Sequence, residues 1–238
     1  MLSVEAEGPI IQFERKFFVL IPSRFPPIAL FERIANGNND AVATIESLTN
    51  PRLAEKRRLV EARNLVDERS PSLQNWNHAP FAYLNPEGSR FFGPQVPCLE
   101  LSGDVQTALA VSVGKRQTFL SRTKETRINL DMRVLSRTVR GKFVDGRTWP
   151  INQSPQELRK VGQHVLDRKV DGLLFRSAER PKGDRIAVLN PKALNTAIQE
   201  DHYRFVWDGQ RIVAIYSFNG GEQINPCRLS EDEEILAA

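Results

Sequence analysis

Apolar and polar residues alternate along several segments of the chain, and this pattern predicts β-strands. From Ile128 to Leu135, the apolar Ile, Leu, Met and Val positions alternate with Asn, Asp and Arg, as in a strand that is buried on one face. Asp208 and Gly209 separate two further apolar runs and predict a tight hairpin turn. Strands are predicted at about 10–21, 81–84, 96–101, 128–135, 138–144, 173–175, 185–189, 198–207 and 211–218.

Capping residues mark the starts of two helices. Asp104 precedes a run of Val, Ala and Leu positions that extends to Leu120. Ser154, Pro155 and Glu157 combine a capping serine, a proline at the first helical position and a glutamate three residues after the cap. Helices are predicted at about 40–48, 51–67, 105–120 and 155–169.

The order of these elements predicts an α+β fold. Strands and helices do not alternate regularly along the chain, which argues against a doubly wound parallel sheet. No internal repeat and no linker is visible, so we expect one domain over residues 1–219. Residues 220–238 include an acidic run and are expected to form a flexible tail. Residues 69–97, rich in Ser, Pro, Asn and Gly, are expected to form a long loop of the kind that is often functional.

Composition excludes several classes of protein. Of the 238 residues, 40% are hydrophobic, which is enough to fill a core and argues against intrinsic disorder. No run of apolar residues is long enough for a transmembrane helix. The first residues lack a basic segment followed by an apolar run, so no secretory signal is predicted and we expect a cytoplasmic protein.

The distribution of charge and the few cysteines and histidines exclude further classes of protein and of site. The 33 basic and 29 acidic residues give a net charge of +4, and the densest basic stretch, residues 52–63, has acidic residues within it and just beyond it. That stretch is read as a solvated helix face, and direct nucleic-acid binding is not expected. The chain has two cysteines and three histidines, all far apart, so no disulfide framework, no metal site and no Cys–His or Ser–His catalysis is predicted.

Several short segments, taken in order, resemble the RES-domain family. Each match is weak alone, but their order and spacing across roughly residues 20–216 are specific. The matching segments are Ser23–Ala35, Leu48–Leu53, Gly88–Phe91, Asp131–Val134, Asp171–Ser177 and Tyr203–Gly209.

The resemblance implies a fold, an activity and partners. Family members are intracellular bacterial proteins, and many are toxins paired with Xre-type antitoxins. They degrade NAD by cutting the nicotinamide–ribose bond through phosphorolysis or hydrolysis. The implied fold is a single RES-type domain similar to that of the ADP-ribosyltransferases, with split antiparallel sheets and packed helices. NAD is then a substrate or ligand rather than a cofactor, the antitoxin covers the active-site cleft, and a homodimer is common.

The family's functional residues map onto this chain one at a time. Its two arginines fall on Arg33 and Arg90, and its late serine falls on Ser177. Its tyrosine position holds Glu100, and its glutamate position holds Val111. Arginines suit the diphosphate because they bind it in a directional, bidentate manner. A carboxylate near the ribose stabilises the oxocarbenium-like charge that forms as the bond breaks.

The two departures leave the function open between two hypotheses. The first is an NAD-degrading enzyme in which Arg33 and Arg90 bind the diphosphate, Ser177 lies near the nicotinamide ribose and Glu100 substitutes for the missing acid. The second is a catalytically degenerate homologue that binds NAD, another nucleotide or a partner protein without turnover. Each residue also has an ordinary reading: a surface or salt-bridged arginine, a serine that caps a turn, or a glutamate of a plain strand.

Overall fold

A computed structural model describes residues 8–23, 75–82 and 85–236 of the chain. The expected helices at 40–48 and 51–67 and the candidate Arg33 lie outside these residues. The helices are α1 (Asn75–Ala82), α2 (Val105–Leu120) and α3 (Pro155–Asp167), with short 3-10 helices at Pro191–Ala193 and Pro226–Ser230. The strands are β1 (Ile10–Pro22), β2 (Leu99–Ser102), β3 (Ile128–Asp145), β4 (Gly172–Arg176), β5 (Asp184–Val188), β6 (Ile198–Trp207), β7 (Ile212–Ser217) and β8 (Gln223–Ile224).

The eight described strands form one mostly antiparallel sheet. The order is β1-β2-β5-β4-β3-β6-β7-β8, and β1 also pairs with β3, so the first five strands close into a ring. One edge of β3 pairs with β1, whereas the other edge pairs with β6 at its start and with β4 at its end. Among the described strands, only β3 and β4 run parallel. The expected α+β class with antiparallel sheets is confirmed.

β3 is a single long strand where the pattern predicts two. The predicted break at Ser136 and Arg137 stays extended because β1 pairs with every position from Met132 to Val144. Ser136 also donates a hydrogen bond to Glu200 of β6 at 2.6 Å. A break in side-chain alternation therefore did not end the strand, because its partner supplies the backbone hydrogen bonds throughout.

The predicted strand at 81–84 is wrong for its first two residues, which end helix α1. Pro80 lies inside this helix and has no N–H to donate to the carbonyl four residues earlier. That carbonyl, on Trp76, instead accepts a hydrogen bond from the buried Arg137 at 3.4 Å. Phe81 then packs into the apolar interior of the ring, which fixes the helix against the sheet.

Three apolar clusters hold the domain together. α2 packs against β1, β3, β6 and β7, and Trp207 is 1% exposed there. The interior of the ring forms the second cluster around Phe17 and Phe143. α3 covers the third, around Phe92 and Phe175. No helix in the described ranges is both long and apolar enough to cross a membrane.

Residues 220–236 pack against the domain, although the composition predicts a flexible tail. Ile224 and Leu229 are buried in the cluster under α2. Gln106 of α2 donates hydrogen bonds to the carbonyls of Leu229 and Glu233 and accepts one from the N–H of Ile235. The acidic composition of the segment did not indicate this packing, because the apolar residues that make it lie on either side of the charged run. The domain limit at residue 219 remains a prediction.

Two helical glycines allow a matched test of packing between α3 and the loop before β2. A Cβ on Gly162 of α3 would lie 2.1 Å from the carbonyl oxygen of Phe91, whereas a Cβ on Gly114 of α2 would meet nothing closer than 3.8 Å. We predict that Gly162→Ala lowers the free energy of unfolding by about 1–3 kcal/mol through overpacking. Gly114→Ala should leave it unchanged or raise it by up to about 1 kcal/mol through helix propensity. Urea denaturation measures both, and equal effects would contradict the close approach of α3 to Phe91.

Candidate functional site

A cavity of about 760 Å³, the site cavity, opens between three parts of the chain. Its walls are the loop 85–90, the segment 96–100 that enters β2, and the C-terminal half of α2. Five cationic and three acidic side chains line it: Arg90, Lys115, Arg116, Arg122 and Arg185, with Glu87, Glu100 and Glu179. The lining therefore carries a positive balance that suits an anionic ligand.

α2 presents its cationic side chains to the site cavity because of where the helix starts. Asp104 caps it and accepts a hydrogen bond from the N–H of Thr107 at 2.7 Å. Lys115 and Phe119 then follow four residues apart, which places them on one face, and Arg122 lies just beyond the end of the helix at Leu120. All three line the site cavity.

Arg90 is held at the edge of the site cavity by its own neighbours. Its side chain donates to the carbonyl of Ile151, and its guanidinium lies 5.9 Å from the centre of the Phe175 ring. Partial burial, followed by the nearby charge of Arg185, lowers the pKa of Arg90. The loop reaches this geometry through Gly88, whose φ of +71° favours glycine.

Glu100 lies in the wall of the site cavity and is fully engaged by basic groups. Its carboxylate accepts hydrogen bonds from Arg185 at 2.7 Å and from the N–H of Arg90 at 3.2 Å, and Lys115 lies 3.6 Å away. Burial alone would raise the pKa of Glu100, but Arg185, Lys115 and the N–H of Arg90 together bring it down to about 2. Glu100 is therefore a carboxylate at neutral pH and has no proton to donate.

Ser177 does not line the site cavity but is linked to Arg185 and Glu100 through Glu179. It is completely buried, and its hydroxyl donates a hydrogen bond to Glu179 at 2.8 Å. Glu179 lines the site cavity and lies 3.9 Å from Arg185. The structure thus joins Ser177 and Glu100 through Glu179 and Arg185, although their roles remain predictions.

Val111 is buried in α2, one turn before Lys115. Residues four apart share a helix face, so position 111 faces the same direction as the lysine that approaches Glu100. The valine brings no charge or hydrogen bond to that place. Neither Val111 nor Ser177 is among the residues that line the site cavity.

Arg185, like Lys115 and Glu179, is a residue of this cluster that the sequence analysis did not single out. It lies in β5, where every residue is buried, and its side chain is 4% exposed. A charged side chain inside a buried strand requires a partner of opposite charge. That requirement is the signal from which a pair with a nearby glutamate could have been predicted.

Cys98 also lines the site cavity and is a free cysteine. Burial raises the pKa of its thiol to about 11, so at neutral pH it is protonated and a poor nucleophile. Across the ranges that the structure describes, no three His, Cys, Asp or Glu side chains gather in a group that could hold a metal ion.

Comparisons with known proteins place the chain among its relatives. The family model of the RES domain matches residues 66–208. The uncharacterized protein y4oC of Sinorhizobium fredii is 48% identical over 229 residues, which cover 95% of this chain and 98% of that protein. The crystal structure of the M. tuberculosis MbcT–MbcA toxin–antitoxin complex aligns with a TM-score of 0.42 at 10% identity, over 80% of this chain and 86% of that chain.

The pair of Glu100 and Arg185 predicts a pH-dependent stability. The pKa of Glu100 falls from 4.5 to about 2 on folding. The contribution of its charge to the free energy of unfolding is therefore complete above pH 4.5 and is lost as the pH falls towards 2. Its size is about 2–4 kcal/mol, from 1.36 kcal/mol per pKa unit. We predict that Glu100→Gln lowers the free energy of unfolding at pH 7 and that its difference from wild type shrinks between pH 5 and pH 2.5.

Denaturation by urea across this pH range measures the effect. Glu87→Gln is the matched control, because Glu87 pairs with Arg122 where both side chains are more than half exposed. Exposed pairs contribute little, so this variant should follow wild type at every pH. A constant difference between Glu100→Gln and wild type across the range would contradict the ionised buried pair.

Proposed function

This chain belongs to the RES-domain family, and we propose that it binds NAD in the site cavity but cleaves the nicotinamide–ribose bond only weakly. It is then a member of the NAD-degrading type with an impaired cleavage step. The observation that carries the proposal is that the site cavity keeps a positive lining while Glu100 is neutralised by Arg185 and Lys115.

The positive lining supports binding of a dinucleotide. The diphosphate of NAD carries two negative charges, and Arg90 and Arg185 both lie at the site cavity. Arginine guanidinium groups suit phosphate oxygens because their donors form a rigid fork. Part of Arg90 is accessible, so its remaining donors can turn to a ligand.

The residues at the two positions that would supply a carboxylate support an impaired cleavage step. Cleavage needs a carboxylate whose charge is available to the ribose as positive charge develops there. The charge of Glu100 is opposed by two cations within 3.6 Å, and Val111 offers no charge at all. Removing a group of this kind commonly costs ~10²–10³ in rate.

Binding is tested by titrating NAD into the protein by calorimetry. We predict that Arg90→Ala weakens NAD binding about tenfold or more, because it removes a charge-assisted contact to phosphate. Arg140→Ala is the matched control, since Arg140 is an exposed arginine of β3 that does not line the site cavity. Equal affinity in Arg90→Ala and Arg140→Ala would overturn the assignment of the ligand to this cavity.

Catalysis is tested by restoring the family pattern. We predict that the double variant Glu100→Tyr with Val111→Glu releases nicotinamide from NAD ~10²–10³-fold faster than wild type, because its new carboxylate occupies the glutamate position that the family resemblance implies. Glu100→Tyr with Val111→Gln is the matched control for size and polarity, and assays with and without phosphate identify the acceptor. Thermal unfolding checks that each variant is folded. Rapid release by wild type that the double variant does not exceed would contradict an impaired site.

The family resemblance extends the proposal to location and partners. We propose a cytoplasmic protein whose partner is an Xre-type antitoxin that covers the site cavity, with a homodimer as the oligomer. Co-purification with the antitoxin would test the partner, and sedimentation would test the oligomer. A monomer that binds no such partner would overturn this part of the proposal and leave the NAD binding untouched.

A further inference from the structure

Phe119 is an exposed aromatic ring in the wall of the site cavity. Its side chain is 57% exposed near the end of α2. Six large hydrophobic side chains are exposed in the described part of the chain, and Phe119 alone among them lines the site cavity. Because this exposed ring lies in the wall of a cavity that charged side chains also line, its face is available to a bound ligand.

Cationic side chains flank this ring along the chain. Lys115 and Arg116 lie one turn before Phe119 on α2, Arg122 lies three residues after it, just past the end of the helix, and all of them line the site cavity. Lys115 and Arg122 are each more than 60% exposed, and their ion pairs with Glu100 and Glu87 are therefore weak and exchangeable. Lys115 has three donors and can keep its contact with Glu100 while it donates to the phosphate of a ligand, and Arg122 can turn from Glu87 to the same phosphate.

An aromatic face between cations matches the chemistry of a nucleotide. The base stacks on the ring regardless of its identity, because every base has a π-face, while the cations attract the phosphate. The open ring of Phe119 and its charged neighbours provide both kinds of contact within residues 115–122.

The position of Phe119 along α2 indicates which half of a dinucleotide it meets. Val111, which occupies the family's glutamate position near the nicotinamide ribose, lies eight residues earlier on the same helix. At 1.5 Å per residue this is about 12 Å along the helix axis. Two riboses and a diphosphate can bridge that separation, which leaves the second base at Phe119.

We propose that Phe119 is the stacking platform for the adenine of NAD and that Lys115 and Arg122 bind the phosphate next to it. This inference rests on the proposed binding of NAD in the site cavity, which it extends to a specific subsite. It assigns the adenine half to the C-terminal end of α2 and leaves the nicotinamide half near Glu100.

The test compares NAD with nicotinamide mononucleotide, which lacks the adenine half, in calorimetric titrations. Phe119→Ala should weaken NAD binding about tenfold and leave the binding of nicotinamide mononucleotide unchanged, because base stacking is lost. Phe119→Trp should preserve NAD affinity, since a larger ring stacks at least as well. Phe218→Ala is the matched control, because Phe218 is 51% exposed but does not line the site cavity.

The outcomes of this test distinguish the adenine subsite from the proposed binding of NAD in the site cavity. Unchanged NAD affinity in Phe119→Ala overturns the adenine subsite and leaves NAD binding in place. Equal weakening of both ligands assigns the ring to the nicotinamide half and also overturns the subsite. Absence of NAD binding by wild type overturns the proposed function itself, and with it the subsite.

Discussion

Thirteen consecutive pairs between β1 and β3 close five strands into a ring, and the arrangement of the site depends on that closure. Within the ring β2 pairs with β5, which sets Ser102 opposite Arg185. Glu100 is two residues from Ser102 and therefore lies on the same face of the sheet, diagonal to Arg185 and within reach of a long side chain. The ion pair at the site cavity is thus a consequence of strand register rather than of a flexible loop.

Burial makes this ion pair both rigid and costly to disturb. Arg185 and Glu100 are 4% and 10% exposed, so both charges are largely shielded from water and each depends on the other for compensation. Removal of one partner from a buried pair leaves an uncompensated charge, which is strongly destabilising. The same constraint limits chemistry, because a carboxylate held by two cations cannot also stabilise a developing positive charge. Structural and catalytic use of this glutamate are therefore in competition.

Much of the fold could be predicted from the sequence because its signals are local. The caps of α2 and α3 and the turn at Gly209 are set by neighbouring residues, and their elements begin where the pattern predicts. The continuity of β3 could not be predicted, because the hydrogen bonds that keep Ser136 and Arg137 extended come from β1, more than a hundred residues earlier.

The candidate site residues remain predictions in their roles, and their arrangement could not be predicted from the sequence. Arg90 and Glu100 were named from a resemblance, and both lie at the site cavity. Arg185 was missed because its partner is 85 residues away in the chain and adjacent only across the sheet. Helix α1 was missed because Pro80 argues against a helix, and its lost hydrogen bond is compensated by Arg137 through the Trp76 carbonyl.

The contacts of Gln106 have a consequence for the order in which the protein is completed during synthesis. Gln106 binds the segment 226–236, which the ribosome makes after every strand of the sheet. Until Leu229 arrives, the apolar surface beneath α2 lacks one of its covering side chains. A nascent chain that has finished its sheet is therefore still incomplete in its core, and such chains expose apolar surface that favours aggregation or capture by chaperones.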